Sequence, residues 1–493
     1  MSMQPTIEQA NILEAAAAGK SFKVLALAGT GKTSTAREIA RRNPHKRILY
    51  LAFSRPIANE AKGTFPSNVT VKTAHALAYA AIGNLYRGRI ETSVWSLRAA
   101  IGERFPDAKG RTLSAVLETL NRFCASADPT VRAQHVGESA SASAATSIAR
   151  LTQNVYETMV DPNESLAITH DIYFKAWSLS KPRLPYDQIQ FDEAQDSSAV
   201  MLAVVACQPE TTQRIFIGDS NQSIYGFRYA VNAIESIELP AFPLTQSFRF
   251  GDAVARVANA VLRAKDETLM LRGRPNHSDA IGKLELPDAI LARTNAGLFA
   301  EAVRVRTLLA PEERFAFIGG VETMLSAVLA AHGFWDAKER SDTAFRSKHK
   351  EFRFFTSWND LEASAETDAG RTFKPFVKIA ETYGSSLPGL CDELRALSTQ
   401  DVKKARVTFS TVHGGKGLEW ECVKLAGDFM PFCGIDRSGK LFFKMEEANL
   451  TYVAITRAER VCDISAIRPV LSESIAMRAQ IAGSVKRYAK EVA

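Results

Sequence analysis

The stretch "LALAGTGKTST" sets Gly29, Gly31, Lys32 and Thr33 close together, and these are the residue types that a triphosphate needs. Glycines let backbone N–H groups turn inward around the phosphates, a lysine supplies a point charge to the β and γ oxygens, and a threonine hydroxyl is offered to magnesium. Ala28, Thr30 and Ser34 complete the loop, and Ala26 stands where the general pattern has glycine. A second, acidic site belongs at the end of a neighbouring strand. In "YDQIQFDEAQDSS", Ile189 and Phe191 bury, and Asp192 and Glu193 emerge. Asp192 suits a magnesium ligand acting through water, and Glu193 suits a base that takes a proton from attacking water, the division that hydrolysis requires.

The elements that must position these residues are legible as short apolar runs: "FKVLAL", "RILYLAF", "YDQIQF", "RIFIGD", "AILART", "RFAFIG", "RVTFST" and "CVKLAG". Most are separated by stretches of helical period, which predicts α/β domains with parallel sheets and crossover helices. The phosphate loop follows "FKVLAL" and opens the helix "TSTAREIARR". Two regions break the rhythm and read as mostly helical insertions, one in each of two α/β domains. In the first of them, "GESASASAATSIAR" reads equally as linker or helix.

A chain of 493 residues exceeds one core, and 46% hydrophobic with 23% charged residues is globular. The net charge of +7 permits a polyanionic partner. The six cysteines form no C-x-x-C pair and have no histidine cluster beside them, which argues against zinc, iron–sulfur and disulfide frameworks. No apolar run is long enough to span a bilayer and the N-terminus lacks signal-peptide form, so the expectation is a cytoplasmic protein, nucleoid-associated if bacterial.

"FDEAQD", "IGDSNQSIYGFR", "STVHGGKGLEW" and "TYVAITRAER", in this order, resemble the UvrD-like branch of superfamily 1 DNA helicases. With "AGTGKT", the run "ILYLAFSRPIANEAKGTFPSNVTVKTAHALAYAAIG" is most similar in type to the F-box DNA helicase, although no F-box precedes it. The resemblance implies two RecA-like motor domains: 1–84 with 186–246, carrying insertion 85–185, and 247–324 with 401–493, carrying a reduced insertion 325–400. Only 461–493 follow "TRAER", so the expectation is that no C-terminal nuclease or interaction domain is present. The small second insertion implies that restraint by an accessory domain is weakened and that the monomer is active.

For the nucleotide, the resemblance implies that Gln9 in "TIEQANIL" reads adenine, Phe248 in "LTQSFRF" stacks on the base and Arg249 meets the γ-phosphate. Arg457 in "AITRAER" matches a second arginine, and Gly417 and Glu419 match positions near the sugar and phosphates. Two arginines suit a transferring phosphoryl group whose charge is spread over several oxygens. In "GDSNQSIYGFRYA", Asp219 falls on the magnesium side and Gln222 is placed to sense the γ-phosphate.

For the nucleic-acid track, Phe53, Arg55, Thr73, His75, Tyr225, Phe227, Arg228, Arg293, Asn295, Thr411 and His413 match family positions along single-stranded DNA. Phe227 stands where relatives usually carry Trp, and Arg55 replaces the Asn of the family's "F-T-N" motif. The expected activity is ATP- and Mg2+-dependent 3′-to-5′ movement on single-stranded DNA, with unwinding at single-strand/duplex junctions. Two alternatives stay open: a motor that displaces proteins from DNA or serves anti-phage defence or recombination control, and a P-loop kinase or signalling ATPase without DNA.

Overall fold

The computed structural model describes residues 4–91, 93–137, 140–226, 232–366, 371–436 and 438–492. The chain divides into two compact units, Met1–Thr245 and Gln246–Ala493. Each is α/β and built on a six-stranded sheet in which every pairing is parallel.

In the first unit the strands are β1 Phe22–Ala26, β2 Ile48–Ala52, β3 Val69–Thr73, β4 Gln188–Phe191, β5 Gln213–Gly218 and β6 Ala241–Leu244, in the order β3-β2-β4-β5-β1-β6. β2 and β4 are buried along their whole length because helices cover both faces. Side chains alternate between the faces. Leu49 and Leu51 of β2 point into a core shared with the helices Val94–Arg104, Gly110–Ala125, Ala142–Val160 and His170–Leu179. Tyr50 points the other way, into a core with Val24, Ala36 and Ile39 under the helix Lys32–Arg42. Residues 85–185 therefore lie on the sheet and share its core. Within "GESASASAATSIAR", the helix Ala142–Val160 starts behind Ser141, whose hydroxyl accepts from the Ala144 N–H.

The order places β4, β5 and β1 side by side, so their carboxyl ends line one edge of the sheet. In open parallel sheets that edge is where ligands bind. "AGTGKT" follows β1, "DEAQD" follows β4 and "DSNQ" follows β5.

In the second unit the strands are β7 Ala280–Ile281, β8 Ala289–Ala292, β9 Phe315–Phe317, β10 Val407–Thr411, β11 Trp420–Leu425 and, after a hairpin of β12 Cys433–Ile435 and β13 Leu441–Phe443, β14 Ala458–Asp463. The sheet order is β7-β14-β11-β8-β10-β9. One core joins Ile290, Phe315 and Phe409 of this sheet to Leu325, Phe334 and Phe376 of the helices in 325–400. Among the described residues, no helix is long and apolar enough to cross a membrane.

Candidate nucleotide site and nucleic-acid interface

The loop after β1 turns through two left-handed glycines, Gly29 at φ 73° and Gly31 at φ 80°, a region costly for residues with a Cβ. Thr30 ties the turn down by donating its hydroxyl to the Leu27 carbonyl at 2.8 Å. Gly31 caps the helix Lys32–Arg42 without a side-chain acceptor, so no side chain occupies the cap position of that positive helix end, which suits an anion.

Lys32 Nζ lies 2.8 Å from Glu193 Oε1, with both side chains largely buried. Burial alone would lower the lysine, but Glu193, Asp192 and Asp219 outweigh it and hold Lys32 above its ordinary value. Burial and the adjacent Glu193 push the Asp192 carboxyl up to about 6, against the pull of Lys32 and the Tyr50 hydroxyl. Glu193 itself has a left-handed backbone, φ 51° and ψ 41°, which a non-glycine residue adopts at a cost of about 1–3 kcal/mol. Such strain is concentrated at functional sites, and here it carries the candidate base.

Gln195, fully buried, holds this acidic turn to the next strand. Its amide donates to Glu193 Oε2 at 2.5 Å and to Asp196 Oδ2 at 3.2 Å, while its carbonyl accepts from the Asp219 N–H at 3.0 Å. Asp219 in turn accepts from the Gln222 amide at 2.7 Å. Lys32, Asp192, Glu193, Asp219 and Gln222 thus form one polar cluster at the carboxyl ends of β1, β4 and β5. Gln9 is 1% exposed and anchors its own helix: its carbonyl accepts from the Thr6 N–H at 3.0 Å and its amide donates to the Thr35 hydroxyl at 3.1 Å.

The fit of magnesium rests on one orphaned atom. Asp192 Oδ1 is buried with no hydrogen-bond partner, while Oδ2 accepts from the Tyr50 hydroxyl. Thr33 lies near the same tyrosine. An unpaired carboxylate oxygen beside a threonine hydroxyl is the donor set that a hard cation takes.

The second unit brings three of its expected residues together. Arg249 pairs with Glu419 and donates to the Thr456 carbonyl at 2.6 Å. Arg457, 2% exposed, donates to the Val453 carbonyl at 3.0 Å, to Leu418 O at 3.4 Å and to the Thr456 hydroxyl at 3.3 Å. One residue, Thr456, therefore touches both guanidiniums. Phe248 is 41% exposed, an aromatic face open to stacking. Gly417 has φ 89° with open space beside it.

On the first unit, Phe53 and Tyr225 stack on each other with centroids 5.8 Å apart and planes 18° apart. Arg55 is exposed and opens the helix Arg55–Lys62, with Pro56 in its first turn. The Thr73 hydroxyl caps the helix Ala74–Ile82 by accepting from the Ala76 N–H at 3.2 Å. His75 Nε2 lies 2.9 Å from Asp171 Oδ1. Phe227 and Arg228 lie outside the described residues.

On the second unit, Arg293 is held in a bidentate pair by Glu447, with Nε 2.8 Å from Oε2. Asn295 opens the helix Asn295–Val305, capped by Thr294. Thr411 ends β10 and accepts from the Gly414 N–H at 3.2 Å, and His413 is half-buried. Pattern reading did not find Tyr50 or Gln195. Their signal was a polar group within or just after a fully buried strand, where it must have a partner.

A parallel sheet whose first strand runs through a glycine turn into a helix, with lysine, aspartate and glutamate converging at neighbouring strand ends, defines the P-loop nucleotide-binding class. Within it, the chain belongs to the UvrD-like helicase family. The UvrD-like helicase C-terminal domain matches residues 186–468, and an AAA domain matches 9–228. The chain is 31% identical over 502 residues to F-box DNA helicase protein 1 of Schizosaccharomyces pombe, covering 90% of this chain and 55% of that protein. It is 30% identical over 491 residues to F-box DNA helicase 1 of Gallus gallus, covering 90% and 47%. The chain thus spans about half the length of these curated relatives.

Proposed function

We propose that the chain is an ATP-driven motor that moves 3′ to 5′ along single-stranded DNA and opens duplexes at single-strand/duplex junctions. The observation that carries this is the Lys32–Glu193 pair at 2.8 Å beside Asp192, on the carboxyl edge of a parallel sheet in a UvrD-like chain. Both relatives are named DNA helicases, which favours DNA as the track.

Lys32 binds the β and γ phosphates, exchanging its contact with Glu193 for the incoming anion. Glu193, released from the lysine and still held by Gln195, takes the proton of the attacking water. Gln222 senses the γ-phosphate, and Arg249 and Arg457 supply positive charge to the transferring phosphoryl group. Gln9 and Phe248 read and stack on the base, and Gly417 and Glu419 approach the sugar and phosphates. Magnesium, held by Thr33 and Asp192, would neutralise charge on the phosphate oxygens.

The DNA track runs over Phe53, Arg55, Thr73, His75, Tyr225, Phe227 and Arg228 of the first unit and Arg293, Asn295, Thr411 and His413 of the second. Stacking on aromatics tolerates any base, as a translocating motor requires. Residues 85–185 and 325–400 serve as the insertions of the two motor domains.

The test is ATP hydrolysis with and without single-stranded DNA. The expected result is strong stimulation by single-stranded DNA, saturable and weakened by salt. Hydrolysis indifferent to DNA would leave a P-loop ATPase without a nucleic-acid track.

A further inference from the structure

Tyr50 takes no part in the chemistry above, yet it is 0% exposed and among the largest fully buried side chains. It stands in the middle of β2 with its ring against Phe65, centroids 4.5 Å apart. A phenylalanine would fill this space without bringing a hydroxyl that burial obliges to find partners. What the hydroxyl touches is therefore informative.

It touches one group expected at the magnesium ion, donating to Asp192 Oδ2. A phenol has one hydrogen and an ionised carboxylate only accepts. That hydrogen is therefore spent on Asp192, and the contact has one direction: Tyr50 to Asp192.

This contact decides what remains. Asp192 Oδ2 is occupied, and Oδ1 is the buried oxygen without a partner. One buried hydroxyl thus sets the choice of free oxygen on Asp192.

We propose that Tyr50 is a positioning residue of the magnesium site, orienting Asp192 through a single buried hydrogen bond. The proposal rests on the reading of this loop as a magnesium–nucleotide site. Partners that orient metal ligands typically change metal affinity by about 10- to 100-fold when removed.

Tyr50→Phe keeps the ring and removes only the hydroxyl. The test titrates magnesium into the full chain with a fluorescent ATP analogue and compares affinity in chelator. The expected result is unchanged metal-free affinity and a magnesium midpoint raised by about 10- to 100-fold. The electron paramagnetic resonance spectrum of Mn2+ in the same complex should also change.

A midpoint equal to wild type, or an equal loss of affinity with and without metal, overturns the proposal and leaves Tyr50 a packing residue. A wild-type chain without magnesium-dependent binding would instead bring down the nucleotide-site reading, and this one with it. Should Tyr50→Phe fail to fold, 3-fluorotyrosine at position 50 keeps the native packing. Its fluorine resonance should move when magnesium is added to the nucleotide-bound protein, and a fixed resonance overturns the proposal.

Discussion

Glu193 joins two features at one residue: a left-handed backbone and a carboxylate 2.8 Å from a buried lysine. The turn aims the carboxylate at Lys32, the cation for which an incoming phosphate would compete. Glu193→Gln removes the base and also frees Lys32 from its ion pair. The variant should therefore bind ATP at least as tightly as wild type, while turnover falls by about 10²- to 10⁴-fold. Equilibrium nucleotide binding and steady-state hydrolysis check this together, and near-normal turnover would remove Glu193 as the base. Glu193 was legible in the sequence because an acidic pair ending an apolar strand is a local pattern. Tyr50 was not: its partner Asp192 is 142 positions away. A tyrosine inside "ILYLA" reads as packing until the sheet order sets β2 beside β4.

Among the elements, strands inside continuous apolar runs were legible, since burial on both faces demands unbroken hydrophobicity. β3 "VTVKT", β14 "AERVCD" and β6 "AFPL" were not. Alternate positions of β3 are polar, β14 carries the adjacent polar pair Glu459 and Arg460, and β6 carries Pro243, tolerated because the strand is an edge paired only with β1. The helices of 85–185 were legible as helices, but not the strut between them. Lys175 on the helix His170–Leu179 is 0% exposed and donates to the carbonyls of Ser126 and Asp128, each at 2.7 Å, just past the end of the helix Gly110–Ala125. Burial pushes it down to about 8, against the pull of Cys124 and Asp128. Lys175→Met should cost about 1–3 kcal/mol at neutral pH by leaving those carbonyls without a donor. Between about pH 8 and the ordinary lysine value, the unfolded chain binds more protons than the folded one, so this group's contribution to stability rises with pH. The gap between wild type and variant in urea unfolding should therefore widen from pH 8 upward, and a gap independent of pH would refute a depressed lysine.

For the whole molecule, the decisive feature is how 325–400 is built into its unit. Leu325, Phe334 and Phe376 share one core with Ile290, Phe315 and Phe409 of the sheet. Rotating this segment as a separate body would expose that apolar surface to water, at about 25 cal/mol per Å². On the motor reading proposed above, a segment anchored in this way leaves no swivelling brake for a partner or a second copy to release. The monomer should therefore translocate by itself. The measurement is single-turnover movement along single-stranded DNA at protein concentrations below the DNA concentration, with a reporter at either end of strands of increasing length. Arrival times should lengthen with strand length when the reporter is at the 5′ end, and duplexes with a 3′ tail should open before those with a 5′ tail. Movement that appears only when protein exceeds DNA would show that assembly is required despite the shared core. Arrival at the 3′ end would overturn the direction while leaving the fuel site as described.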